Sequence, residues 1–268
     1  MRVLILNQAE VSRLLPMAEC MEVMADVLKA LARGEAILPL RPVMWLPERV
    51  GALAMMPAYL RNLDIMGLKA ISVFPGNLGT EFDSHQGAVL LFETKHGQLL
   101  AIMDASSITA IRTAAVSGVA TQLLARKDAR DLAILGSGVQ AQTHLEAMLL
   151  ARKIARVRVW SRDPDHAQFF AQGQSQRHRI TVEPMRSAPE AVTGADIICT
   201  TTSAREPVLL REWIAPGSHI NAVGASTPFT RELDTPTVVN AQLFVDRRES
   251  ALIAGACNRR PGRSTSHI

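Results

Sequence analysis

Residues 132–141 read Leu-Ala-Ile-Leu-Gly-Ser-Gly-Val-Gln-Ala, a short apolar run that passes into a GxGxxA turn. The apolar run predicts a buried strand, and the residues from Val139 onward predict a helix. In such a turn Gly136 permits the tight bend, Gly138 lets a pyrophosphate approach the backbone, and the small Ala141 lets helix and strand pack closely. The stretch therefore predicts a dinucleotide-binding βαβ unit, although an ordinary glycine-rich turn between a strand and a helix would show the same residues.

Residues 128–256 continue the alternation of strand and helix that this stretch begins. Helices are predicted from about Val139, from about Pro164 and near Pro189. Strands are predicted at residues 132–135, 157–160, 180–183, 196–199, 220–223 and 243–245. Strands that alternate with helices form right-handed crossovers and a parallel sheet covered on both faces. This part of the chain is therefore predicted to be a Rossmann domain, an α/β fold with a doubly wound parallel sheet.

Residues 1–127 show a different pattern. The predicted elements are a helix over about residues 16–32, strands over about 51–57 and 68–74, a hairpin of 88–93 with 99–103, and a helix from 107 to about 126. The last helix is predicted to join the two halves of the chain. A helix followed by antiparallel strands predicts a separate α+β domain.

Composition and charge limit the class of protein. The 268 residues are 48% hydrophobic and 20% charged, which is typical of a globular protein with a sizeable core. The net charge is +4, but three of the positive charges belong to Arg259, Arg260 and Arg263 near the end of the chain. The rest of the chain is nearly neutral, so no nucleic-acid partner is predicted. A signal peptide and a long apolar run are both missing from the sequence, so a cytoplasmic protein without a membrane partner is expected.

The cysteines and the C-terminal end carry no recognisable site. Cys20, Cys199 and Cys257 lie far apart without CxxC spacing, so neither a disulfide framework nor a metal site is predicted. Residues 257–268 are rich in Arg and Ser and are predicted to be a disordered tail.

The residues after the second predicted strand of the Rossmann domain bear on the choice of nucleotide. An acidic residue here would accept the ribose 2′-hydroxyl of NAD, but the sequence has Ser161 and Arg162. A hydroxyl and a guanidinium suit an adenosine 2′-phosphate, so NADPH is predicted as the preferred cofactor, with NAD(H) as the second possibility. Arg162 could equally be a solvated surface arginine that Asp163 or Asp165 partly neutralises.

Three cations lie in apolar surroundings in the first half of the chain: Arg41, Lys69 and Arg112. A cation on a buried face needs an anion. Ion pairs with Asp64 or Asp104 are one explanation for each cation alone. Together the three predict a clamp for a substrate carboxylate, in which arginine gives bidentate pairing and lysine a point charge whose proton can be shared.

Several motifs occur in one order along the chain, and together they are specific. They are Lys69, His-Gln-Gly at 85–87, Met-Asp at 103–104, Arg-Thr-Ala-Ala at 112–115 and the glycine turn at 136–141. With this combination the chain resembles the ornithine cyclodeaminase/mu-crystallin family over about residues 1–252. The resemblance implies a Rossmann domain inserted in a substrate and dimerisation domain, and a homodimer that acts on a small imino or amino acid.

The resemblance also implies roles for individual residues. The residues that match substrate contacts are Arg41, Lys69, His85, Arg112 and Ser226, with Lys69 and Arg112 in the catalytic role. The residues that match cofactor contacts are Thr113, Val139, Gln140, Thr202, Val223, Gly224 and Ala225, and they add to the cofactor contacts predicted above from the residues themselves, Gly136, Gly138, Ser161 and Arg162. By itself His85 is an isolated histidine, a type that is most often structural or exposed.

One departure from the pattern selects a branch of the family. Cyclodeaminases have an aspartate where this chain has Ser226, and a serine cannot act as a carboxylate base or pair with an ammonium. The resemblance therefore favours reduction of a ketimine or cyclic imine carboxylate, of the pyrroline- or piperideine-carboxylate type, by NADPH. Ornithine cyclodeaminase and alanine dehydrogenase are alternatives. A third is an inactive or purely ligand-binding member, because family chains run several tens of residues past Leu252 and their returning segment completes the substrate domain.

Overall fold

The strands and helices of the computed structural model form two compact units, which divide between Val116 and Ser117. The structure describes residues 2–77, 79–227 and 229–253. The division lies inside one helix, whereas the sequence places the change after that helix, at residue 127. The predicted tail at 257–268 and Cys257 lie outside the described residues.

Unit 1 contains a mixed sheet of seven strands. Its strands are β1 (Leu4–Leu6), β2 (Ala36–Ile37), β3 (Val43–Trp45), β4 (Ala52–Leu60), β5 (Ile65–Val73), β6 (His85–Glu93) and β7 (Leu99–Asp104). The helices are α1 (Gln8–Leu14), α2 (Met17–Ala32) and α3 (Ala105–Leu124), the last of which continues into unit 2. The strand order is β1-β7-β6-β5-β4-β2, with β3 also paired to β4, and among these described strands only the β1–β7 pair is parallel.

The long antiparallel strands at the centre of unit 1 are paired along their length and bury apolar residues on one face. β5 pairs with β4 on one side and with β6 on the other over its whole length, so its residues have fixed neighbours. Ile71 of β5, Ala54 of β4 and Ala105 of α3 form a small buried core on one face of this sheet. The N-terminal turns of α3 are capped by Asp104, whose carboxylate accepts from the backbone N–H of Ser107 at 2.7 Å.

Unit 2 is built on a parallel sheet of five strands. They are β8 (Asp131–Leu135), β9 (Arg156–Trp160), β10 (Val182–Pro184), β11 (Ile197–Thr200) and β12 (His219–Ala222). The helices are α4 (Val139–Ala151), α5 (Pro164–His178), α6 (Ala188–Val192), α7 (Thr235–Asn240) and α8 (Arg248–Ile253). The order β10-β9-β8-β11-β12 leaves β8 at the centre, and residues 132–135 are fully buried because other elements cover both faces of the sheet. The predicted doubly wound α/β fold is confirmed.

Two differences from the predicted elements have clear physical causes. The strand predicted at residues 243–245 is wrong, since these residues form no strand and expose 37% to 56% of their surface. A short apolar run becomes a strand only when a neighbouring backbone pairs with it. The sequence interpretation missed α1, although Asn7 and Glu10 form a capping box that marks its start.

Among the described residues, none of the helices combines the length and the apolar character that a membrane span needs.

Candidate functional site

Lys69, one of the three cations of the predicted carboxylate clamp, lies on the central sheet of unit 1. Lys69 is in the middle of β5, opposite Met56 of β4 and Val89 of β6, and it is half-buried. Its Nζ donates to the Thr109 hydroxyl of α3 at 3.2 Å. That hydroxyl in turn donates to the backbone oxygen of Ala105 at 2.6 Å, so the ammonium group is held against the first turns of the helix.

The electrostatics of Lys69 show which of the predicted residues come together. Burial lowers the pKa of Lys69 to about 7, and the positive charges of Arg112 and Arg41 act in the same direction. Arg41 and Arg112 are therefore both close enough to Lys69 for their charges to repel its ammonium group. An anion bound among them would relieve that repulsion.

His85 begins β6 on the same face of the sheet as Lys69. It lies opposite Val73 in the antiparallel pair, and its Nδ1 is 3.0 Å from the Ser84 hydroxyl. Loss of solvent contact lowers the pKa of His85, the charge of Lys69 lowers it further, and Asp83 opposes both. His85 is thus within the electrostatic field of the cation cluster.

Thr113 lies on α3, one turn after Thr109. Its hydroxyl donates to the backbone oxygen of Thr109 at 2.6 Å. Thr113 belongs to unit 1, and its predicted contact with a cofactor stays a prediction.

The glycine turn of unit 2 leaves room for a ligand at the start of α4. Gly136 has a φ of +118°, which an L side chain rarely adopts. Gly138 is the N-cap of α4, without a side-chain cap, and a Cβ built on it would meet no atom within 4 Å. The uncapped N–H groups of a helix start and an open space in front of them suit a phosphate.

Other predicted cofactor residues surround this turn. The Ser137 hydroxyl donates to the Ser161 hydroxyl at 3.1 Å, which ties the turn to the end of β9, and Arg162 beside it is exposed. Val139 is 60% exposed at the first position of α4. Within the described part of the chain, Oε1 of Gln140 is buried without a hydrogen-bond partner.

The remaining predicted cofactor contacts follow the next two strands of the same sheet. Thr202 comes after β11, and residues 223–225 come after β12. Parallel strands present their carboxyl ends at one edge, and in this strand order the ligand crevice opens between β8 and β11. The residues of unit 2 therefore fit a dinucleotide. Ser226 is exposed, and its backbone N–H donates to the Gly224 oxygen at 2.8 Å.

A buried glutamate that the sequence interpretation missed links these loops. Glu232 is completely buried, and its Oε1 and Oε2 accept hydrogen bonds from Thr200, Thr202 and Gly224. Burial raises the pKa of Glu232, while the hydrogen bonds from Thr202, Thr200 and Gly224 act against that rise. No local pattern marks such a residue, because a single acid in a loop is usually solvated.

The described residues hold no group of three His, Cys, Asp or Glu side chains suited to a metal ion.

Comparison with known proteins identifies the family. A sequence model of the ornithine cyclodeaminase/mu-crystallin family matches residues 1–267. The chain belongs to this family. The family resemblance predicted from the motifs is thereby confirmed.

Individual members of the family match most of the chain. The ketimine reductase mu-crystallin of Mus musculus is 45% identical over 219 residues, which cover 82% of this chain and 69% of that protein. The structure of Thermococcus litoralis pyrroline-2-carboxylate reductase in complex with NADH and L-proline is similar at a TM-score of 0.92 with 37% identity, and the match covers 95% of this chain and 79% of that one. An archaeal alanine dehydrogenase dimer with bound NAD is similar at a TM-score of 0.88 with 30% identity, covering 99% of this chain and 88% of that one.

Proposed function

We propose that this protein is an NAD(P)H-dependent oxidoreductase that reduces a ketimine or cyclic imine carboxylate. The observation that carries the proposal is the cation cluster of Arg41, Lys69 and Arg112 in unit 1, where burial and mutual repulsion bring the pKa of Lys69 to about 7. Cations that act on one another in this way can bind a small anion. One relative is a ketimine reductase, and another is a pyrroline-2-carboxylate reductase in complex with NADH and L-proline, which supports a carboxylate as the anion.

The cations of unit 1 have the chemistry to bind and orient such a substrate. The guanidinium groups of Arg112 and Arg41 pair with carboxylate oxygens, and Arg112 is well suited to bidentate pairing. Lys69 adds a point charge and, with a pKa of about 7, holds a proton at Nζ that it can deliver to the imine nitrogen near neutral pH. Orientation and electrostatic stabilisation are therefore the contribution of these residues.

Unit 2 supplies the residues that would hold the dinucleotide. The pyrophosphate would be bound at the start of α4 beside Gly138, while Ser161 and Arg162 would take the 2′ end of the adenosine ribose. A bound reduced nicotinamide supplies the hydride to the C=N carbon. The nitrogen gains the electron pair and a proton, so the product is the amino acid. We further propose that NADPH is preferred over NADH because Arg162 is available to a 2′-phosphate.

We also propose a homodimer. The support is the archaeal alanine dehydrogenase, which is a dimer and matches 99% of this chain.

The proposal is tested with the purified protein and two imines, pyrroline-2-carboxylate and piperideine-2-carboxylate. Each is mixed with NADPH and separately with NADH, and the loss of the reduced nicotinamide absorbance is followed. We expect turnover of at least one imine, faster with NADPH. Release of ammonia and proline from ornithine and NAD would instead establish a cyclodeaminase.

Two further results would point to a different activity. Reduction of pyruvate in the presence of ammonium would establish an alanine dehydrogenase. Dinucleotide binding without turnover of any of these substrates would establish a ligand-binding protein.

A further inference from the structure

Three loops follow β8, β11 and β12 at the carboxyl edge of the sheet in unit 2. The first two are directly joined, because the backbone N–H and the hydroxyl of Thr201 both donate to the backbone oxygen of Leu135, at 2.8 and 3.1 Å. The loop after β12 lies next to them, since the N–H of Val223 donates to the oxygen of Thr200 at 3.0 Å. The glycine turn and the two following loops therefore form one continuous edge.

The carboxylate of Glu232 joins the second loop to the third. Its Oε1 accepts from the backbone N–H and the hydroxyl of Thr202 at 2.6 and 2.8 Å. Its Oε2 accepts from the backbone N–H of Gly224 at 2.6 Å and from the Thr200 hydroxyl at 2.7 Å. The loops approach so closely here that a Cβ on Gly224 would collide with the backbone oxygen of Thr202.

The backbone of Glu232 is itself fixed. Its oxygen accepts from the N–H groups of Val208 and Leu209 at 2.8 and 3.0 Å. The carboxylate therefore reaches the two loops from a defined position, and it does so without exposure to water. Two backbone N–H groups and two hydroxyls donate to this carboxylate, so its acceptor positions are used in this arrangement.

We propose that Glu232 is a positioning residue for the dinucleotide: its carboxylate holds Thr202 and Gly224 in the geometry that the bound dinucleotide requires, and so sets the affinity for it. Glu232 is not one of the cofactor contacts predicted from the sequence, but it holds two of them, Thr202 and Gly224. The inference rests on the proposed function in that both need a dinucleotide in unit 2.

The variant Glu232→Gln tests this role because it keeps the size of the side chain and changes one acceptor into a donor. The Thr200 and Thr202 hydroxyls can turn to accept from the new amide, but a backbone N–H cannot. Whichever way the amide is oriented, either Gly224 or Thr202 loses the acceptor for its N–H. We expect the Kd for NADPH, measured by its fluorescence on binding, to rise about tenfold or more.

The KM values for the two substrates distinguish a positioning role of Glu232 from a merely structural one. In the folded fraction of Glu232→Gln, KM for the dinucleotide should rise in parallel with Kd while KM for the imine stays within about twofold. A lowered unfolding midpoint with an unchanged Kd would overturn the proposal. Glu183→Gln, which breaks an exposed ion pair with Arg156 in the same sheet, is the matched control and should leave Kd unchanged.

A second variant keeps the test decisive if Glu232→Gln does not fold. Thr200→Val removes one hydroxyl donor in β11 and keeps both backbone N–H partners of the carboxylate. Its Kd for NADPH should rise about threefold to fivefold, less than in Glu232→Gln, because the carboxylate loses one donor but still accepts from the backbone N–H groups of Thr202 and Gly224. An unchanged Kd in this variant would contradict the proposal.

Direct binding distinguishes failure of this inference from failure of the proposed function. If the unchanged protein binds NADPH but reduces no imine, the proposed function fails and the Kd values still decide the role of Glu232. If the unchanged protein binds neither NADPH nor NADH, both are overturned.

Discussion

Lys69 in unit 1 and Glu232 in unit 2 are both ionisable side chains withdrawn from water, and their surroundings differ in kind. Lys69 donates to one neutral hydroxyl and feels the repulsion of Arg41 and Arg112. Glu232 accepts four hydrogen bonds from neutral donors. A charge held among like charges becomes more stable when an opposite charge binds, whereas a carboxylate with all its acceptor sites used gains nothing from a ligand.

This contrast indicates which unit responds to the substrate. We expect a carboxylate bound in unit 1 to relieve the repulsion on Lys69 and to raise its pKa. The buried carboxylate of unit 2 sets a fixed geometry before anything binds. Four experiments test whether the two units differ in this way.

The largest effect is expected for Arg112→Ala. Loss of the bidentate partner should lower kcat/KM for the imine carboxylate by about 10²-fold to 10³-fold, since a charge-paired contact is lost from a partly desolvated site. Steady-state kinetics and NADPH fluorescence are the measurements, and Kd for NADPH should stay within about twofold. Arg177→Ala, at an exposed ion pair with Glu146, is the control. Normal turnover in Arg112→Ala would remove unit 1 as the carboxylate site.

A smaller effect is expected for Arg162→Glu in unit 2. A carboxylate repels the 2′-phosphate of NADPH and accepts from the ribose hydroxyls of NADH, so the ratio of kcat/KM for NADPH to that for NADH should fall about 30-fold. Arg162 is exposed, so the fold should not change. An unchanged ratio would mean that Arg162 is a solvated side chain without a role in nucleotide choice.

The pH dependence of carboxylate binding should reveal the pH at which Lys69 loses its proton. With a pKa of about 7, Lys69 is a cation below that pH and loses its proton as the pH rises through it. The Ki of an unreactive analogue such as furan-2-carboxylate should therefore rise about tenfold between pH 6 and pH 9. In Lys69→Arg the charge persists, so the Ki should be nearly constant over the same range. If the Ki changes with pH to the same extent in both proteins, Lys69 is not the group that causes the change.

The smallest effect concerns stability. Below pH 7 Lys69 is charged in both the folded and the unfolded chain, so the folded chain bears the full cost of burying it beside two arginines. Above pH 7 the folded chain releases the proton and that cost falls. Lys69→Met should therefore raise the free energy of unfolding by about 1 to 2 kcal/mol at pH 6, because solvent screens part of the repulsion, and by less at pH 9.

Thermal unfolding at the two pH values measures this difference. Lys29→Met, at an exposed ion pair with Asp26 on α2, should leave the midpoint unchanged at both. Destabilisation by Lys69→Met at pH 6 would contradict the view that the cation cluster is costly to the fold.

The parts of the fold that were predicted from sequence have local signals. The strand, turn and helix around residues 132–141 lie next to one another in the chain, and an apolar run with two glycines is sufficient to indicate them. The missed helix α1 also had a local signal, since its capping box lies within Asn7 and Glu10. The strand predicted at 243–245 failed because pairing depends on a distant backbone, which an apolar run does not supply.

Some residues of the candidate site also have local signals in the sequence, and others do not. The apolar surroundings of Lys69 and Arg112 led to the prediction of an anion-binding role, which stays a prediction, and the order of these residues with the other motifs indicated the family. Glu232 was missed because Thr200 and Thr202 lie 32 and 30 residues away in the chain, and they and Gly224 meet its carboxylate only when the sheet forms.

The order of residues was therefore enough to establish the class of fold, the family and the types of charged group available for binding. Those properties depend on periodicity, turn chemistry and residue identity, which act over a few positions. The pKa of Lys69 and the four hydrogen bonds of Glu232 arise only in the folded chain. Burial and electrostatic interactions depend on distances between groups, and the strands, helices and loops set those distances only when they pack together in each unit.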